Sequence, residues 1–176
     1  MKPDDRLRNL ELILCDVDGV LTDGGIIYDN QGIETKKFHV RDGLGIRLWQ
    51  RAGYKFGVLT ARSSHIVKLR ATELDIDIVR QGFEEKLTVA QEVAQQLGLD
   101  REQVCFIGDD FPDLPAMTYV GVAVAVSDAV DEVRKAAHFV TTLPGGQGAV
   151  REVIEACLKS KKRWEELISK YFSHGS

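Results

Sequence analysis

Asp16 and Asp18 are the residues whose type and spacing point most directly to chemistry. They stand two apart, immediately after the apolar run Leu12-Ile13-Leu14-Cys15 and just before Gly19. Residues two apart on an extended chain project the same way, so two carboxylates would converge on one small volume. Left bare they would repel, and one would take up a proton. A divalent cation resolves that conflict, and hard oxygen donors of this kind suit magnesium. Taken alone, the same pair is equally compatible with a solvated turn after a strand.

Three further positions carry related signals. Thr60 closes the stretch Phe56-Gly57-Val58-Leu59. Its hydroxyl, with the Ala61 backbone and the start of a following helix beside it, forms an arrangement that binds anions; alone it is an ordinary strand end. Lys86 lies early in a long helix, near the positive end of its dipole, where a cation is disfavoured. A solvated surface charge is the simpler reading of that lysine by itself. Gly108-Asp109-Asp110-Phe111-Pro112-Asp113 follows the apolar run Val104-Cys105-Phe106-Ile107, and three acidic residues so placed would repel without a cation.

These residues need elements to position them. Leu12–Cys15, a short apolar run bounded by glycine, reads as a fully buried strand of a parallel sheet. Further strands are expected over 54–59, 76–79, 104–107, 120–126 and 138–141. Helices are expected over 46–53, 66–74, 84–97, 128–136 and 149–158, with Ser63 or Ser64 capping the second and Gly98 stopping the third. This alternation predicts an α/β fold, a Rossmann-like, mainly parallel sheet with helices on both faces. Functional groups in such sheets gather beyond the carboxyl ends of the strands, where all four signals fall. Between the first strand and the first helix, Asp29-Asn30-Gln31-Gly32 separates two β-rich runs and predicts a β-hairpin flap over about residues 24–40. A lone hairpin is marginal in water, so the flap is expected to pack against something, and self-association would supply it.

Composition narrows the class. The 176 residues, 44% hydrophobic and 28% charged, fit one soluble domain over 1–176. The net charge of −4 removes the global basic footprint of a nucleic-acid binder. No apolar run reaches membrane-spanning length, and Met1-Lys2-Pro3-Asp4-Asp5-Arg6 lacks the apolar core of a signal peptide. Cys15, Cys105 and Cys157 show no paired spacing, which predicts a reducing, cytoplasmic location. A basic, aromatic-containing helical tail over about 159–176 could be a solvated terminal helix or a partner-binding one.

Asp16-Val17-Asp18-Gly19-Val20-Leu21-Thr22-Asp23-Gly24, then Thr60, Lys86 and Gly108-Asp109-Asp110-x-x-Asp113, resemble in order and separation the four motifs of the haloacid dehalogenase superfamily of phosphohydrolases. The resemblance spans about residues 12–113. It implies a phosphoric monoester hydrolase with Asp16 as nucleophile and Asp18 as general acid and base. Thr60, Ala61 and Lys86 would hold the phosphoryl group. Magnesium would be held by Asp16, Asp109 and the Asp18 carbonyl, with Asp110 and Asp113 supporting these ligands. No stretch is long enough for a large cap domain. The phrases Phe38-His39-Val40-Arg41-Asp42-Gly43-Leu44-Gly45, Leu59-Thr60-Ala61-Arg62-Ser63-Ser64 and Gly145-Gly146-Gln147-Gly148-Ala149-Val150-Arg151-Glu152 are similar to the 3-deoxy-D-manno-octulosonate 8-phosphate phosphatase subfamily.

That second resemblance implies a sugar-acid phosphate substrate and a homotetramer whose hairpins meet at its centre, with neighbours covering each site. It implies no nucleic-acid or membrane partner. Arg62 and Arg70 are candidates for the sugar-acid carboxylate, which guanidinium matches with two bonds. Arg41, at the hairpin base, is a candidate to reach a neighbour's site. Relatives acting on 2-keto-3-deoxynononate 9-phosphate or sialic acid 9-phosphate share these motifs but are often acidic at the position of Arg62, so the arginine favours the octulosonate. Glu85 departs from the aspartate common before the motif lysine. Two readings from other classes stand beside this one. A phosphoacceptor signalling domain would place its acceptor aspartate after a middle strand, and an inactive assembly module would have little use for the intact acidic set.

Overall fold

The computed structural model describes residues 5–172. At its centre β1 (Leu12–Cys15) buries all four side chains, because it is flanked on both edges as well as covered on both faces. It pairs in parallel with β4 (Lys55–Thr60), Cys15 opposite Val58, and with β6 (Val104–Gly108), Cys15 opposite Ile107. Adding β5 (Ile78–Gln81), β7 (Val122–Ala125) and β8 (Phe139–Val140) gives the all-parallel order β5-β4-β1-β6-β7-β8. The chain therefore leaves β1 toward one edge and later returns to build the other. Such a reversal opens a crevice beyond the carboxyl ends of the central strands.

Two helical layers flank the sheet. In one, α2 (Val40–Arg51) packs on α7 (Ala149–Ser160), which also meets α1 (Asp5–Arg8) and α8 (Trp164–Ser169). In the other, α4 (Lys86–Gln96), α5 (Leu114–Tyr119) and α6 (Asp131–Ala136) pack in series. The α/β expectation holds, and no large cap interrupts it. Between β4 and β5 the crossover carries α3 (His65–Glu73).

Three local expectations need correction. First, α2 begins at Val40 rather than 46, with His39 capping it by accepting the Arg41 N–H at 3.3 Å. Gly43 and Gly45 lie inside this helix despite their low propensity. A Cβ at Gly45 would stand 3.2 Å from the Arg151 Cα, so glycine there lets α7 cross closely. Second, Ser64 occupies the cap position of α3 but makes no capping bond; its hydroxyl donates to Glu34 Oε2 at 2.6 Å. Third, α5 was not foreseen. Pro115 sits in its first turn, where proline is tolerated because the missing N–H has no helical partner.

The flap is present as β2 (Ile27–Tyr28) and β3 (Glu34–Thr35), paired antiparallel. Asp29 organises its turn by accepting the N–H groups of Gln31 and Ile33, each at 2.8 Å. Ile26, Ile27, Tyr28 and Ile33 are exposed on it. The expected start of the tail at 159 falls inside α7, and its last residues, from 173, lie outside the described ones. All three cysteines are free and buried. No helix among the described residues is long and apolar enough to cross a membrane.

Candidate active site

Beyond the carboxyl ends of β1 and β6 the chain brings together Asp16, Lys86, Asp109 and Asp113. Asp16 is anchored to the sheet by its own N–H, which donates to the Ile107 carbonyl at 3.1 Å. Its Oδ1 accepts the Val17 N–H at 2.7 Å. Immediately afterwards the backbone turns, and the N–H groups of Val20, Leu21 and Thr22 all donate to the Val17 carbonyl. Gly19 stands in this turn at φ +92°, and a Cβ there would lie 2.0 Å from Asp109 Oδ2. Both the backbone conformation and the neighbouring carboxylate therefore require glycine.

Lys86 enters from the first residue of α4 and is 3% exposed. Its ammonium lies 2.9 Å from Asp16 Oδ2 and 2.5 Å from Asp113 Oδ1. Two carboxylates thus hold the cation that the helix dipole disfavours. Asp113, itself buried, uses its other oxygen to accept the Asp109 N–H at 2.9 Å and the Asp110 N–H at 3.4 Å. It braces the loop after β6 from within. Asp110 is exposed and caps the next turn by accepting the Phe111 N–H at 2.8 Å. Thr60 ends β4 with 2% exposure, its Oγ1 accepting the Arg62 N–H at 3.3 Å, and Ala61 follows on the surface.

The electrostatics are those of a crowded anionic site. Burial pushes the Asp16 carboxyl up to about 6; Lys86 opposes this and Asp113 adds to it. Asp109 is pushed up to about 8, first by burial and then by repulsion from Asp113 and Asp16. Burial works against the Lys86 ammonium, but Asp16 and Asp113 outweigh it and its pKa is raised. Carboxylate oxygens of Asp16, Asp109 and Asp113 lie within 4.8 Å of one another. Asp109 Oδ1 is buried without a hydrogen-bond partner, whereas both oxygens of Asp113 are engaged. An all-oxygen donor set with one orphaned acceptor fits a hard divalent cation such as magnesium.

The turn that closes on the Val17 carbonyl follows Asp16 directly and carries Asp18. The Asp18 side chain meets Lys36, which ion-pairs with its Oδ1, and Arg62, whose Nε is 3.6 Å from its Oδ2. Arg62 also donates to the Tyr28 hydroxyl at 2.9 Å and to Glu34 Oε1 at 3.1 Å. It thereby ties the loop after β4 to the flap. Arg70 lies elsewhere: its guanidinium donates to Glu73 at 2.8 Å and sits over the Phe38 ring. Arg41 borders a separate groove with Arg151, Glu155 and Lys159. Neither arginine joins the acidic centre within this chain.

Lys36 and Glu34 were not foreseen. Their only signal is the two-residue alternation after the flap turn, and both faces of that strand are polar in sequence, so nothing local says which one is buried. The Gly145–Gly148 loop belongs to one of the phrases that carry the subfamily resemblance, and nothing in its sequence says what it touches. It docks on the first turn of the site, Gly146 N–H donating to the Val20 carbonyl at 2.9 Å.

Comparison with known proteins agrees with this geometry. The profile of haloacid dehalogenase-like hydrolases matches residues 66–154. The 3-deoxy-D-manno-octulosonate 8-phosphate phosphatase of Yersinia pestis is 42% identical over 160 residues, covering 91% of this chain and 86% of that protein. A crystal structure of the same phosphatase from Moraxella catarrhalis, in complex with a magnesium ion, a phosphate ion and a KDO molecule, superposes with a TM-score of 0.93. It is 38% identical and covers 94% of this chain and 95% of its own. A cobalt-bound structure of the Haemophilus influenzae phosphatase superposes with a TM-score of 0.88 at 40% identity, covering 91% and 94% of the two chains.

Proposed function

This chain belongs to the haloacid dehalogenase-like hydrolases, in the branch of the 3-deoxy-D-manno-octulosonate 8-phosphate phosphatases, and from that premise we propose that it hydrolyses this sugar-acid phosphate to the free sugar acid and phosphate. The observation that carries the reading is the buried Lys86 ammonium 2.9 Å from Asp16 inside the acidic cluster. A carboxylate, an adjacent cation and an oxygen-lined cation site are the parts phosphoryl transfer needs.

In this reading Asp16 attacks phosphorus in line, forming an aspartyl phosphate, while Asp18 gives a proton to the departing sugar oxygen. Asp18 then takes a proton from water as that water attacks phosphorus and releases Asp16. Splitting the displacement in two makes each step easier. Lys86, 2.9 Å from Asp16, favours the ionised carboxylate that the attack needs, and it offsets charge on the phosphoryl oxygens alongside the Thr60 hydroxyl and the Ala61 backbone. Asp16, Asp109 and the Asp18 carbonyl would hold magnesium, whose charge further offsets that of the phosphoryl group. Asp110 and Asp113 support these groups by fixing the loop.

Arg62, beside Asp18, is the candidate for the sugar-acid carboxylate; Arg70, the second candidate, is held by Glu73 away from the acidic centre, and Arg41 would serve at a neighbour's site. The exposed Ile26, Ile27, Tyr28 and Ile33 of the flap support a homotetramer joined through that element, and three free buried cysteines support a cytoplasmic location. A phosphate-release screen over sugar-acid phosphates tests the reading. The octulosonate 8-phosphate is expected to turn over fastest. Preference for 2-keto-3-deoxynononate or sialic acid 9-phosphate would move the substrate assignment, and an aspartyl phosphate stable for minutes would favour a signalling role.

A further inference from the structure

Lys36 belongs to none of the four segments that build the acidic centre, yet its side chain is as fully enclosed as that of Lys86. Beyond β3 the chain alternates, with Glu34, Lys36 and Phe38 turned inward and Thr35 and Lys37 exposed. The Lys36 side chain is 1% exposed, whereas that of Lys37 is 68% exposed. A lysine has a flexible stem and ordinarily keeps its ammonium in water. Burying it is costly unless it is paired. Lys36 is paired twice, with Asp18 Oδ1 and, at 3.3 Å, with Glu34 Oε1.

Glu34 is in turn fixed from a third segment. Ser64 Oγ donates to its Oε2 at 2.6 Å, and Arg62 Nη2 to its Oε1 at 3.1 Å. The ammonium is therefore held by a chain of contacts running from the flap to the loop after β4. The Asp18 carboxylate accepts no bond from the 17–22 turn that carries it. Lys36 takes its Oδ1, while its Oδ2 is buried with no hydrogen-bond partner and meets only the longer ion pair of Arg62, its Nε 3.6 Å away.

We propose that Lys36 is the positioning residue of Asp18: the flap's buried ammonium holds Oδ1 and leaves Oδ2 as the atom that exchanges the proton. The proposal rests on the acid and base role of Asp18 given above. When the bond from phosphorus to the sugar oxygen breaks, Oδ2–H passes its proton to that oxygen. When water attacks and the bond from phosphorus to Asp16 breaks, Oδ2 takes the proton back. Lys36 keeps its own protons throughout. The flap is then part of the catalytic machinery and not only a cover or a subunit contact.

Steady-state turnover of the octulosonate 8-phosphate by Lys36→Met and Lys36→Arg, each also made in an Asp18→Asn background, tests this. Misplacing a catalytic group by about 1 Å costs about 10²-fold, so Lys36→Met is expected to lower kcat by roughly 10- to 100-fold with KM within about twofold. Lys36→Arg should recover most of the loss. In the Asp18→Asn background, followed with enzyme in excess, Lys36→Met should cost almost nothing more, because residues acting through one another do not add. An unchanged kcat, a rise in KM alone, or an equal loss without Asp18 would overturn the proposal. Inhibition by inorganic phosphate at the wild-type constant identifies variants whose acidic centre is intact; should Lys36→Met not fold, Lys36→Gln takes its place. An indifferent Lys36 in an active enzyme removes only this inference, while a wild-type chain inactive on every sugar-acid phosphate removes the functional reading with it.

Discussion

Lys86 stands 2.9 Å from Asp16 and 2.5 Å from Asp113, almost wholly out of water. Removing one partner of a buried ion pair leaves uncompensated charge and costs about 3–5 kcal/mol. Lys86→Met is therefore expected to destabilise the fold by an amount of that order and to lower turnover by about 10²-fold or more, read by parallel melts and phosphate release. Asp16→Asn removes the attacking oxygen's charge while keeping its shape; turnover should vanish with the thermal midpoint held or raised, and near-normal turnover would remove Asp16 as nucleophile. Asp109 gives a pH test. Its carboxyl is held at about 8 in the fold, well above the ordinary carboxylate value, so between these limits the folded chain keeps a proton that the unfolded chain has lost. Stability then falls as pH rises through that window. For chelator-treated protein the melting midpoint should drop between about pH 5 and about pH 8, and saturating magnesium should flatten the slope.

At the scale of elements, the site depends on two segments outside the four that bear its motifs, the Gly145–Gly148 connection and the flap. The Gly145–Gly148 connection is pressed on the first turn so closely that a Cβ at Gly145 would lie 1.7 Å from the Gly19 carbonyl oxygen. Gly145→Ala must displace one of two backbones, at a cost of about 1–3 kcal/mol or more. Because Gly19 abuts Asp109, the same change should weaken metal activation, seen as a raised magnesium requirement beside a lowered melting midpoint. The flap was legible from its turn residues and the β-rich runs around them, which depend on local backbone preference. Its inward contacts were not, since Lys36 and Lys37 are chemically identical until the strand's two faces meet different surroundings.

For the whole molecule, the sheet order decides where everything falls. β1 lies between β4 and β6, so residues more than ninety positions apart in the chain share one crevice. Exposed apolar side chains on the flap need a covering surface, because an isolated hairpin is marginal in water. Light scattering is expected to report a tetramer, and a fully active monomer would remove the flap as its joint. Chelation of divalent metal should silence turnover reversibly; full activity in chelator would contradict the oxygen-lined cation site.

From its sequence alone the chain declared its central strands, the α/β alternation and the position of each acidic or cationic motif at a strand end. Those features depend on runs and spacings of a few residues. Only the tertiary structure decided which groups share contacts: Asp18 with Lys36, Ser64 with Glu34 rather than with its own helix, Arg70 with Glu73 and Phe38, and α2 six residues longer at its start. Each of these turns on the partner that a distant segment brings, and a short stretch of sequence carries no record of what will pack against it.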